Sequence, residues 1–253
     1  METGWLILAS ALAVAGSLVG WRGLKSGQGH AFWWMAAVFV CQLFFLQWRG
    51  ELRGRCPLQD IGEIAAFLAW SLTFFYLVTG PGYRVSLLGM FTAPLVVLFQ
   101  IVALWPGAMS QEVVKATEIN PWAEAHAAFS VLSYGALALS AVAGVMFLVL
   151  NRRLKAHEFK GGLTKGMPSV HRLVGVMGRL AVIGWGILTV GVVTGFMMEG
   201  GAWSRHLVLA LVVWLAYALL LGVFYFRGMP PRWMAWLLVA LFAVSLFVFG
   251  KIS

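Results

Sequence analysis

Charge is what this sequence has least of. Only 11% of its residues are Asp, Glu, Lys or Arg, against roughly 25% in an ordinary soluble domain. A chain so poor in charge cannot cover its surface with solvated groups, so lipid must be its solvent. Cysteine is scarce too. Cys41 falls inside an apolar run and Cys56 in a connecting segment, so the two thiols stand at different depths and form no disulfide framework. Gly-rich phosphate loops, H-E-x-x-H, G-x-S-x-G and CxxC are all missing, which removes the common nucleotide, zinc-protease, hydrolase and dithiol chemistries. No enzyme acting alone is visible in these residues.

What is present is apolar. Hydrophobic residues make up 61% of the 253. They fall into eight runs, at roughly 5–20, 31–48, 62–79, 86–104, 124–150, 180–198, 204–226 and 233–250. A spanning helix takes about 20 residues. Backbone donors and acceptors find no water in a bilayer, so each run must be a helix rather than an open strand. The expectation is an all-α, polytopic membrane bundle of eight transmembrane helices, a single integral membrane domain over 1–253. The run at 5–19 has no positively charged leader before it and reads as a retained helix. The stretch 167–179 is too charged to span and reads as an amphipathic helix at the interface leading into the sixth run.

Lys and Arg set the orientation. Arg22, Lys25, Arg84, Arg152, Arg153, Lys155, Lys160, Lys165, Arg172, Arg179, Arg227 and Arg232 fall on one side, and only six on the other. Eight of the nine acids share the minority side. The majority side is therefore read as cytoplasmic, with both termini outside, in the inner (cytoplasmic) membrane. The net charge of +9 is a topology signal, and no nucleic-acid partner is expected. Trp5, Trp48, Trp105, Trp122 and Trp203 mark the outer ends of runs, and Trp21, Trp33, Trp34, Trp233 and Trp236 the inner ends, as an aromatic belt would. The Arg49, Arg53 and Arg55 loop breaks the charge rule, so it either holds an anionic ligand group or sits against lipid phosphates. Glu63, just inside the third run, is costly enough in a membrane to suggest a role. Gln42, Gln47 and Gln100 read as hydrogen-bond partners within the bundle.

Of five histidines, His30, His157 and His171 fall at cytoplasmic ends, where a surface role is expected. His126 and His206 open the fifth and seventh runs at one depth on the outer side. Imidazole nitrogens ligate transition metals and haem iron, and such a pair can clamp one iron, although bonds to backbone or lipid remain the open alternative. From His126, Ser130, Ser133 and Tyr134 share a stripe; from His206, Ala210, Val213, Trp214 and Tyr217 share another. Tyr134, Trp214 and Tyr217 are candidates to pack on a porphyrin edge.

Several of these motifs occur in the order of a known family. RGELRGRCPLQDIGEIAAFLAWSLTFFYL (49–77), AEAHAAFSVLSYGALALSAVAGVMFLVLNRRLK (123–155) and LVVWLAYALLL (211–221) resemble the early loop and helix, the histidine-led helix and the penultimate helix of the CcsA-type cytochrome c assembly family. The likeness extends from about 30 to 250. It implies an outer-face site for a non-covalent haem b, with His126 matching the family's first outer haem-ligating histidine, and a partner in cytochrome c maturation. Synthase members carry a Trp-rich outer loop of the form WGxxWxWDxxE. Here the corresponding stretch is MMEGGAWSRH (197–206), which looks more like the compact HemX-like (YpjD) branch. The resemblance thus implies a haem-handling component of a haem lyase system rather than an enzyme by itself. Two other readings stay open: a haem-free regulator or scaffold of tetrapyrrole synthesis, and a transporter, against which stands the lack of an inverted repeat.

Overall fold

The computed structural model describes residues 2–23, 31–83, 88–110, 115, 119–156, 169–198 and 205–250, with the side chains of 19–23, 31, 81–83, 205–206 and 248–250 left aside. Among these residues the chain is all helical. Eight helices follow one another: α1 Glu2–Gly23, α2 Ala31–Arg53, α3 Ile61–Tyr83, α4 Leu88–Ala103, α5 Pro121–Lys155, α6 Val170–Phe196, α7 Arg205–Arg227 and α8 Pro231–Gly250. Each apolar run of the sequence has its helix. Four of them, α3, α5, α6 and α7, are long and apolar enough to cross a membrane. The apolar parts of α1, α4 and α8 are shorter, and α2 ends in the charged turn around Arg49, Glu51 and Arg53.

The fifth helix is the centre of the bundle. It packs chiefly on α6, then on α3, α8 and α4, while α1 lies on α2 and α4. Its interior is built from small residues, Ser130, Ser133, Gly135, Ala136, Ala138, Ser140, Ala141, Ala143 and Gly144 among them. In lipid, helices associate by packing rather than by the hydrophobic effect, so small residues that let backbones approach are what hold such a pair. Asn120 starts the helix, its side-chain oxygen accepting from the N–H groups of Trp122 and Ala123, with Pro121 next. This is the geometry that satisfies otherwise unpaired first-turn donors. Arg152, Arg153 and Lys155 close its last turn, where positive charge complements the helix dipole.

The stretch expected to lead into the sixth run does so: residues 170–179 are the first part of α6, which runs unbroken from the Ser169 cap to Phe196. Leu173, Val176, Met177 and Leu180 are buried on it, while His171, Arg172 and Arg179 are exposed. The stripe is amphipathic as expected, but its apolar side meets α5, where the Ser140 hydroxyl donates to the Met177 carbonyl at 2.8 Å. At 27 residues, α6 is about 40 Å long. It therefore reaches beyond a hydrocarbon core of roughly 30 Å.

Candidate functional site

His126 stands in the second turn of α5, against two glycines of α6. Its Nδ1 lies 2.7 Å from the Gly191 carbonyl oxygen. A carbonyl can only accept, so Nδ1 carries a proton, and in the neutral ring this is the tautomer that leaves the lone pair on Nε2. That is the arrangement in which metal-binding imidazoles are held, the outer nitrogen fixed by a backbone acceptor. The approach depends on missing side chains. A Cβ at Gly195 would stand 2.7 Å from His126 Nδ1 and 2.6 Å from Leu207 Cδ1, and one at Gly191 would stand 2.9 Å from Ser130 Oγ. His126 and Leu207 thus meet over one glycine, which brings the first turn of α7 to the level of His126. His206 belongs to that turn, but its side chain lies outside the described residues. Beside His126 on its own helix, Trp122 and Phe129 are 46% and 37% exposed, and they flank it at i−4 and i+3.

The remaining candidates sit deeper. Tyr134, about 12 Å along α5 from His126, is buried, as is Tyr217, and the two hydroxyls converge on Ser245 of α8. Trp214 stacks on Trp185 at 5.4 Å between ring centroids. Its Nε1 donates to the Thr189 hydroxyl at 2.8 Å, and Trp185 Nε1 donates to the Trp214 carbonyl at 3.2 Å. The structure therefore brings Tyr134 and Tyr217 together, and places Trp214 in a separate aromatic pair between α6 and α7. Phe129, Gly191 and Gly195 were missed from sequence. A glycine pair spaced by four on an apolar helix was the available signal for the last two.

The basic loop turns out to be internal. Arg49 and Arg53, at the end of α2, are buried, and both donate through Nε to Glu63 Oε1, at 2.7 and 2.8 Å. Glu63 Oε2 accepts from the Gln59 N–H at 2.9 Å. Arg53 also pairs with Asp60, and Asp60 accepts from the Ser110 N–H and hydroxyl at 2.9 Å each. Arg49 reaches the Ser110 carbonyl at 2.9 Å. Two cations and two carboxylates thus pin α2, the start of α3 and the segment after α4 to one another. Burial pushes the Asp60 carboxyl up. The Ser110 donors, with Arg53 and Arg49 behind them, outweigh this and hold it below the usual value. So Glu63 is the hub of a structural clamp, and neither Arg49 nor Arg53 faces a lipid phosphate. Gly54 turns the chain out of α2 at φ +65°, a conformation glycine adopts without strain.

The glutamines divide. Gln47 donates to Glu51 at 3.3 Å, whereas Gln42 and Gln100 are fully buried and their amides find no protein partner among the described residues. The expected role for those two is not met by the packing. Cys41 is buried and Cys56 half-buried, both free. Burial raises the Cys56 thiol to about 11, helped by the negative charges of Glu124 and Glu63. Among the described residues no three His, Cys, Asp or Glu side chains gather as a metal site.

The molecule is thus a multi-pass helical membrane protein with a tautomer-fixed histidine near one end of its central helix pair. Its sequence matches the family described as "Cytochrome C assembly protein" over residues 58–251, and the chain belongs to that family. It is 26% identical over 193 residues to "Cytochrome c biogenesis protein CcsA" of Chlamydomonas reinhardtii, covering 71% of this chain and 52% of that one. It is 27% identical over 237 residues to the protein of the same name from Synechococcus sp. (strain RCC307), covering 81% and 76%. The Nostoc punctiforme protein is 32% identical over 122 residues, 47% of this chain and 34% of its own length. The chain therefore spans about half the length of the Chlamydomonas relative and a third of the Nostoc one.

Proposed function

We propose that this chain acts in c-type cytochrome biogenesis as a haem-handling protein of the inner membrane, binding haem b non-covalently near its outer face. His126 and His206 would hold its iron through their imidazoles. The observation that carries this reading is the Nδ1–H bond from His126 to the Gly191 carbonyl, which leaves Nε2 as the free donor. The meeting of Leu207 with His126 over Gly195 supports a second ligand from the first turn of α7. Exposed Trp122 and Phe129 offer apolar faces for a flat ring, and the buried Tyr134, Tyr217 and Trp214 support the bundle below. Haem supplies the iron and the porphyrin chemistry; the chain orients imidazoles and excludes water. Both termini lie outside, and a maturation partner completes the system.

The test is an absorption spectrum of detergent-purified protein. A Soret band with sharp reduced α and β bands is expected, as two nitrogen ligands give. His126→Ala and His206→Ala should each weaken or shift it. If both variants keep the parent spectrum, the ligands lie elsewhere. If the parent carries no haem, the scaffold reading of tetrapyrrole synthesis takes its place.

A further inference from the structure

Three arginines close the α2 end, and among the described residues two acids pair with two of them. Arg49 and Arg53 are neutralised by Glu63 and Asp60. Arg55 is left over. Its Nε is shut off from solvent without a hydrogen-bond partner. Other atoms of the Arg55 side chain line a half-open cavity of about 190 Å³ between the loop after α2 and the first turn of α5. Across that cavity stands Glu124, whose Oε1 is likewise shut off and unbonded. The two do not bridge one another. Asn120 and Gln59 add amide groups to the polar wall, and Leu58 and Ala127 close the apolar side.

The lining selects the ligand class. A pure anion would satisfy Arg55 but press against Glu124, whose charge already acts on the neighbouring Cys56 thiol. A pure cation would do the reverse. The volume of about 190 Å³ is roughly six waters' share of liquid volume, enough for a small polar molecule. It is too small for a porphyrin. The frame is also rigid, because the clamp fixes both ends of the loop that carries Arg55. We infer that this cavity binds a zwitterion, with a phosphate or carboxylate on Arg55 and an ammonium group on Glu124. The headgroup of a zwitterionic aminophospholipid and a free amino acid-like molecule share this chemistry. The inference does not depend on haem at His126.

The experiment uses the full chain, purified in detergent and stripped of lipid. Calorimetric titrations take four probes: dioctanoyl phosphatidylethanolamine, dioctanoyl phosphatidylglycerol, O-phosphoethanolamine and glycine. Binding of phosphatidylethanolamine well above phosphatidylglycerol is expected. Arg55→Gln and Glu124→Gln should each weaken it roughly tenfold or more, the scale of losing one charge-assisted hydrogen bond. The exchanged pair Arg55→Glu with Glu124→Arg should restore part of it, which keeps the test meaningful if a single variant folds poorly. Binding of the lipid alone assigns the headgroup as source; equal binding of O-phosphoethanolamine or glycine assigns a soluble one. Equal affinity for phosphatidylglycerol, or tighter anion binding in Glu124→Gln, would make this a plain anion site and overturn the inference. Heatless titrations with all four probes, or variants that bind like the parent, would leave a water-bridged pair and overturn it as well.

Discussion

Gly195→Ala is the smallest change that reaches His126 without touching it. The new methyl would stand 2.7 Å from Nδ1 and 3.1 Å from Cε1 of the imidazole, where ordinary contacts begin near 3.5 Å. Leu207 also lies in its way, at 2.6 Å, but by the tip of a mobile side chain that can turn aside. The ring must then retreat by about 0.8 Å. That stretches a 2.7 Å bond to Gly191 to roughly 3.5 Å, the limit of a hydrogen bond. The direct loss is about 0.5–1.5 kcal/mol of stability. The loss to a ligand on Nε2 is larger, since removing such an orienting partner lowers metal affinity roughly 10–100-fold. The haem-to-protein ratio and the reduced spectrum of the purified variant measure it. Gly186 on the same helix is the control, because a Cβ there meets nothing within 4 Å; Gly186→Ala should keep its haem and gain up to about 1 kcal/mol. An unchanged haem content in Gly195→Ala, or an equal loss in Gly186→Ala, would refute the reasoning.

Glu63→Ala should destabilise the protein by about 3–5 kcal/mol, because it leaves two buried guanidinium groups with one carboxylate, Asp60, between them; unfolding in detergent that shifts by less than 1 kcal/mol would show the clamp to be dispensable. Cys56 should alkylate slowly at pH 8, where a thiol held at about 11 is ionised about one part in a thousand. Its rate should climb toward pH 11, and Glu124→Gln should bring the rise to lower pH. Because the folded value lies above the ordinary 9.0, the stability this thiol confers is complete below pH 9 and lost as pH rises through 11. Reporter fusions after Leu154 and after Met109 should report cytoplasmic and outer compartments respectively, and one compartment for both would refute the orientation. Co-expressed with an apocytochrome c in cells without other maturation machinery, the chain should leave no haem-stained band after denaturation. The expectation rests on the sequence, where MMEGGAWSRH (197–206) holds a single Trp.

The helices were legible because lipid leaves the backbone no other choice. Once water is excluded, a sufficient apolar run is a helix whatever its neighbours do. Placement was harder. The stripe of Leu173, Val176, Met177 and Leu180 has the same period whether it faces a lipid surface or another helix, and only the Ser140–Met177 contact decides between them. The charged end of α2 was misread for a related reason. Arg49 and Glu63 are 14 positions apart and Arg49 and Ser110 are 61 apart. No local pattern states that such residues will meet. The contact of His126 with Gly191 is 65 positions long, and that Tyr134 and Tyr217 both approach Ser245 on α8 is likewise something their own periodicity does not mention.

The orientation of His126 follows from what its neighbours do not have. The Gly191 carbonyl already accepts the Thr194 hydroxyl at 2.9 Å on the flank of its own helix. In most helices side chains one turn on would screen such an oxygen from an imidazole on the next helix. Here the position one turn on, 195, is glycine, and so is 191 itself, so the ring can reach the oxygen laterally. Two consequences follow from that one fact. The imidazole is fixed by backbone rather than by a side chain, so its tautomer does not change as neighbouring carboxyl groups titrate. And among the described residues α5 packs more extensively on α6 than on any other helix, so the histidine sits at the bundle's main helix contact. A ligating group set on packed helices is held more closely than one set on a loop.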